Sequence, residues 1–188
     1  GFQNEKISTV YTDNGHFECD RAIITAGIWS KELMLKLGLN IPLEAERGYH
    51  VVYKNASILP RNPMMMTIGK FGVTPMGSDL RCAGTVELGG IKLGPSKAPI
   101  KLLRRRVAEA FPKMSYDKTE EWFGFRPTVP DSLPLIGQLK ESGVYTAFGH
   151  QHIGMTSGPK TGRLIADIIN QRSPNIDISV YDPNRYNL

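Results

Sequence analysis

Residues 43–53, Leu43-Glu-Ala-Glu-Arg-Gly-Tyr-His-Val-Val-Tyr53, alternate with period two. One face of the pattern carries Arg47, Tyr49, Val51 and Tyr53, and the other Glu44, Glu46, His50 and Val52, which predicts one long β-strand. A strand needs partners, and residues 73–87 offer them. They read as a hairpin turning at Gly77-Ser78, where glycine at the first central position suits a type II′ turn. The middle of the chain is therefore expected to be antiparallel sheet.

The flanking segments add shorter elements. Residues 6–12 and 17–25 surround Asp13-Asn14-Gly15, and Asn-Gly supplies the positive φ angles of a tight hairpin. The second strand runs into Thr25-Ala26-Gly27, after which Trp29, Leu33, Met34 and Leu37 recur at helical spacing until Gly38. Ile100, Leu103, Val107 and Phe111 form an apolar stripe behind Pro99, which suits a first helical turn, and Pro112 closes it, predicting a helix that packs on the sheet. Residues 121–126 and 144–148 are strand candidates, Leu164, Ile165, Ile168 and Ile169 mark a final helix, and the tail from Ser173 is polar and irregular. The interleaving predicts an α+β fold with an antiparallel or mixed sheet and flanking helices.

A chain of 188 residues, 40% apolar and 22% charged, can bury a sizeable core. No window approaches the roughly 18 apolar residues of a membrane span, and no signal peptide is expected. Cys19 and Cys82 lie far apart without metal-like spacing, which points to buried thiols in a reducing compartment. The net charge of +5 suits an anionic ligand, an acidic surface or nucleic acid. The dense run Arg104-Arg105-Arg106 lacks interleaved aromatics and reads as a solvated helix face, so no nucleic-acid partner is expected.

Three local patterns carry candidate chemistry. Ala26-Gly27 at a strand end lets backbone approach a flat or phosphorylated ligand, or serves packing alone. Arg126, framed by Phe123-Gly-Phe and Pro127, offers a planar fork to a carboxylate, or an ion pair to Asp131. In 148–162, Gly149, Gly154, Gly158 and Gly162 lead into the last helix, whose opening N–H groups can stabilise negative charge; a loop that merely permits a sharp turn is the alternative. His150 and His152 could ligate a metal, but His16 and His50 supply no further ligand pattern, and no metal site is expected.

Taken in order, these stretches resemble the C-terminal part of the FAD-dependent D-amino acid oxidase superfamily, nearest to its bacterial D-amino acid dehydrogenase branch. The likeness runs through Arg21-Ala-Ile-Ile-Thr-Ala-Gly-Ile-Trp-Ser30, Ile41-Pro-Leu-Glu-Ala-Glu-Arg-Gly-Tyr-His50, Thr74-Pro-Met76 with Gly84-Thr-Val-Glu87, Gly124-Phe-Arg-Pro-Thr128 with Pro134-Leu-Ile-Gly137, and Gly149-His150 through Gly162-Arg-Leu-Ile-Ala-Asp167. The resemblance implies a Rossmann-like FAD domain, to which 1–42 and 123–188 would belong, and an antiparallel substrate domain over 43–122. It implies FAD near Ala26 and Gly27 and along His152, Ile153, Gly154, Met155 and Thr156. Arg126 would hold the substrate carboxylate, with Tyr49, Tyr53 and His152 as further substrate contacts. Gly72 stands where some relatives place a substrate-contacting tyrosine. No residue is expected to act as a catalytic acid or base, because the flavin carries the chemistry.

The implied activity is oxidation of a D-amino acid to a 2-oxo acid and ammonia. Alternatives are glycine, sarcosine or a cyclic imino acid as substrate, or a non-catalytic binding module. The family's Gly-x-Gly-x-x-Gly is absent, so the chain is expected to be a fragment whose partner is a missing N-terminal FAD-binding segment. The expected location is cytoplasmic, with peripheral contact to the inner membrane or to an electron acceptor left open.

Overall fold

The computed structural model describes residues 1–186. In chain order the elements are β1 (Phe2–Gln3), β2 (Lys6–Ile7), β3 (Thr9–Thr12), β4 (Gly15–Glu18), β5 (Ala22–Ile24), a 3₁₀ turn (Gly27–Trp29), α1 (Ser30–Lys36) and β6 (Glu44–Tyr53). There follow β7 (Met64–Met66), β8 (Phe71–Met76), β9 (Asp79–Leu88), α2 (Lys97–Ala110), β10 (Thr119–Thr128), β11 (Leu135–Gln138), β12 (Val144–Phe148) and α3 (Gly154–Ile169). Short 3₁₀ turns at Ser179–Tyr181 and Pro183–Tyr186 give the polar tail more order than its composition predicts. The chain divides into two compact units, one of Gly1–Glu44 with the segment from Arg126 onward, the other Ala45–Phe125.

The second unit is built on a five-stranded sheet in the order β10-β6-β9-β8-β7. The strands β6, β9, β8 and β7 pair antiparallel with their neighbours, as the alternation in 43–53 and 73–87 requires. Tyr49, Val51 and Tyr53 bury one face together with Phe71, Val73, Leu80 and Cys82, and Ile100, Leu103 and Val107 of α2 pack onto it. The hairpin turns where Met76 faces Asp79, with Gly77 at φ +66°.

The β6–β9 register shifts between Gly48 and Tyr49, which face Val86 and Gly84 and leave Thr85 as the extra residue of a bulge. Thr85 sits at φ +65°, a conformation that a β-branched residue rarely adopts. Arg106 is not a purely solvated charge, for its Nη1 donates to the carbonyl of Gly69 at 2.8 Å; Arg104 and Arg105 are exposed as the sequence predicts.

In the first unit a three-stranded sheet runs β11-β12-β5. The pair β11–β12 is antiparallel, but β12 and β5 are parallel, with Val144, Tyr145 and Thr146 facing Ala22, Ile23 and Ile24. That pairing joins segments more than a hundred residues apart, so local pattern could not reveal it. The predicted opening hairpin is also divided. Its first strand splits into β2, which pairs with β1, and β3; its second splits into β4, which pairs with β3, and β5, which belongs to the three-stranded sheet. The turn lies at Asp13-Asn14, and of the three turn residues Gly15 alone has positive φ, +118°. The pattern is a two-residue turn with its positive φ at the Gly15 that follows it, rather than two positive φ angles at Asn-Gly.

Leu164 and Ile165 of α3 bury against Ile136 and Tyr145. Both cysteines are free; Cys82 is buried, whereas Cys19 is only half-buried.

Candidate functional site

The parallel pairing of β5 and β12 brings their C-terminal ends to one edge of the first unit's sheet. Each end opens into a turn and then a helix. Beyond β5 come Ala26 and Gly27, with Gly27 at φ +56° and open space where a Cβ would stand. Beyond β12 come Gly149, at φ +88°, and the segment that starts α3. Ligands of parallel α/β arrangements bind outside the carboxyl ends of the strands.

Hydrogen bonds fix the second turn. His150 shares one with Thr161 at 2.9 Å between Nε2 and Oγ1, and burial holds its imidazole below the usual histidine pKa. Gln151, at φ +50°, donates its N–H to the carbonyl of Pro127 at 3.2 Å and its side-chain amide to that of Val129 at 3.2 Å. The loop before α3 is thereby stapled to the segment that follows Arg126. Arg126 is half-buried near the end of β10, and His152 is exposed in the stapled loop.

The N-cap of α3 is Ile153, which has no acceptor to offer. Helix starts favour serine, threonine, aspartate or asparagine there. Thr156 and Ser157 do not supply the missing cap, because their hydroxyls donate to the carbonyl of Ile153 at 2.9 and 2.8 Å. The N–H groups of Gly154, Met155 and Thr156 therefore have no side-chain cap, and the helix dipole concentrates positive potential there. Ile153 and Met155 are 60% and 94% exposed, so apolar surface flanks those donors. Gly158 and Gly162 lie inside α3 rather than in the preceding loop, one turn apart, with nothing within 4 Å of an added Cβ.

The carboxylate of Asp131, a competing partner for Arg126 on sequence grounds, is bound by Arg185 through Nε at 2.8 Å and Nη2 at 3.3 Å. Burial pushes the Asp131 pKa up, but the Arg185 hydrogen bond and the Leu133 N–H outweigh it and hold the group below the ordinary carboxylate value.

The sequence profile of the DAO family, described as FAD dependent oxidoreductase, matches residues 1–168. The chain belongs to this family. It is 38% identical over 186 residues to a D-amino-acid oxidase of Bradyrhizobium diazoefficiens, covering 96% of this chain and 44% of the relative. It is 30% identical to a glycine oxidase of Pseudomonas aeruginosa over 182 residues, 95% of this chain and 50% of that protein. A crystal structure of glycine oxidase from Geobacillus kaustophilus shares the fold with a TM-score of 0.82 at 24% identity, covering 94% of this chain and 48% of that one. L-proline dehydrogenase from P. horikoshii does so with a TM-score of 0.83 at 21% identity, covering 100% and 52%. The chain spans about half the length of the curated relatives it matches.

DAO-family proteins are FAD-dependent, and the first unit fits part of that cofactor. The clearance at Gly27, Gly158 and Gly162 admits a flat group close to backbone, and the uncapped turn of α3 suits an electron-rich edge. The residues expected to hold it, Ala26, Gly27 and His152 to Thr156, follow the ends of β5 and β12.

Tyr49 and Tyr53 belong to the second unit and are 2% and 3% exposed on the face covered by α2. The Tyr53 ring packs edge-on against Tyr116 at 4.8 Å between centroids within the buried cluster, which makes it a core residue, and that burial raises its hydroxyl pKa. The Tyr49 hydroxyl donates to Glu87 and accepts the N–H of Ser96 at 3.2 Å. The parallel register and the apolar N-cap are the features sequence reasoning missed. The second had a signal, an isoleucine where the start of a helix ordinarily carries a polar cap.

Proposed function

We propose that this chain forms the C-terminal half of a flavin-dependent enzyme that oxidises a D-amino acid. Two electrons and two protons leave the substrate, one hydrogen from Cα and one from the amine, giving an imino acid. Water then hydrolyses the imine to a 2-oxo acid and ammonia. FAD, when bound, supplies the two-electron acceptor.

The chain's own residues bind and orient. Arg126 grips the substrate carboxylate through two parallel donors, which fixes the Cα–H direction. His152 borders the bound substrate. The N–H groups of Gly154 to Thr156 stabilise negative charge on the cofactor side, and exposed Ile153 and Met155 exclude water from it. Tyr53 is left to the core. The observation that carries this reading is the uncapped first turn of α3 beginning at Ile153.

Identity to D-amino-acid oxidase favours a D-amino acid over glycine; identity to glycine oxidase keeps glycine as the second reading. In the full-length protein, Arg126→Ala should raise KM for D-amino acids by about tenfold or more while flavin content stays constant, as expected for loss of a bidentate contact. An unchanged KM removes the assignment of Arg126. Steady-state rates with D-alanine, D-phenylalanine, glycine and N-methylglycine choose between the substrates, and turnover of none of them sinks the amino acid reading.

A further inference from the structure

The second unit holds a cavity of about 540 Å³ between the start of α2 and the edge strand β10, a size that accepts a small organic molecule. Its walls include Tyr49, Pro95, Ile100 and Phe123, with Lys97 and Lys101 at the rim. The Tyr49 and Phe123 rings stand 6.2 Å apart at 31°, so the interior offers aromatic and aliphatic carbon. Neither lysine has an ion-pair partner among the described residues. The other rim cation, Arg104, is already engaged by Glu121 at 2.8 Å.

A polar network holds the inner wall in place. Arg47 is 2% exposed, pairs with Glu87 at 3.3 Å and donates to the carbonyl of Gly94. Hydrogen bonds from Tyr49 and Ser96, then the charge of Arg47, hold the Glu87 carboxyl below its usual pKa against the cost of burial. No side chain caps α2, and its opening N–H groups add to the positive rim. These contacts tie the 94–96 segment to Arg47 and Tyr49, which lowers the cost of ordering it on binding.

We propose that this cavity binds an amphipathic carboxylate, a ring-sized apolar body lying against Tyr49, Ile100 and Phe123 and its anionic head held by Lys97 and Lys101. The apolar lining alone would accept neutral molecules; the two cations at its mouth select the anion.

The test is isothermal titration calorimetry of the full-length flavoprotein with 2-naphthoate, and with 2-naphthalenemethanol as the uncharged analogue. A saturable one-to-one isotherm for 2-naphthoate is expected, with the alcohol at least about tenfold weaker, the effect of losing charge-assisted contacts. Lys97→Gln with Lys101→Gln should weaken 2-naphthoate by a similar factor, and Ile100→Trp, which fills the space, should remove binding. The lysine pair is exposed, so that variant remains informative if Ile100→Trp does not fold. Absence of binding, equal affinity for the alcohol, or affinity unchanged in the lysine variant overturns the proposal. So does binding that disappears with Arg126→Ala but not with the lysine changes, since the probe then occupies the proposed substrate-carboxylate position.

Discussion

The backbone N–H of Gln151 donates to the carbonyl of Pro127 at 3.2 Å, joining the residue that follows Arg126 to the residue that precedes His152. The placement of the proposed carboxylate-binding side chain relative to the opening of α3 rests on that staple and on the Gln151 side chain bound to Val129. Gln151 achieves both from φ +50°. Gln151→Pro would forbid that φ and delete the donor, so unfolding free energy should fall by roughly 3 kcal/mol. Urea denaturation checks this, and a loss under about 1 kcal/mol would show that the staple contributes little.

Ile153→Asp sets stability against cofactor retention. A carboxylate at the N-cap would accept the first-turn N–H groups and should stabilise α3 by about 0.5–2 kcal/mol. The same carboxylate would occupy the donors and place negative charge where the flavin edge is proposed. Thermal melting should shift upward in the apoprotein while flavin content of the purified full-length protein drops; equal or higher flavin content contradicts the assignment.

Acid should reveal the Asp131–Arg185 pair. The folded-state pKa of Asp131 lies below the ordinary value, so its contribution is fully present above the unfolded pKa, about 3.9, and is lost as pH falls through the folded value. Asp131→Asn should therefore lower Tm at about pH 6 and lose that difference toward about pH 2.5. The carboxylate is partly exposed, so the gap should narrow further in high salt. A gap independent of pH would assign the effect to hydrogen bonding alone.

The two thiols should separate by reactivity. Burial pushes Cys82 up to about 12, and its side chain is 0% exposed in the α2-covered core; Cys19 is half-buried near the terminal hairpins. A disulfide reagent at neutral pH should label Cys19 in the native protein and Cys82 only after denaturation. Prompt labelling of Cys82 would mean that α2 opens from the sheet far more readily than its packing implies.

Elements whose signal is local were readable in the chain. The alternation in 43–53 identified the faces of β6, and the Ile100, Leu103, Val107 stripe identified the side of α2 that meets them, because side-chain periodicity follows directly from backbone geometry. Gly77 and Gly38 punctuated their elements for the same reason, both at positive φ. The likeness of five ordered stretches to the DAO family was legible too, and the family comparison agrees with it.

What the chain alone could not supply was long-range. The Asp131 carboxylate meets Arg185 rather than Arg126, a choice set by how the tail returns across 131–134. The segments 22–24 and 144–146 become parallel neighbours, aligning two strand ends that a linear reading assigned to separate motifs. Tyr49 and Tyr53 share a face in sequence, yet Tyr49 lines the cavity beside α2, whereas Tyr53 packs edge-on against Tyr116. Periodicity is a property of neighbouring peptide units, whereas pairing, register and occupancy depend on which distant surfaces exclude water together. The sequence by itself determined the elements and their apolar faces; tertiary packing decided which charges, strand ends and donors were left available for function.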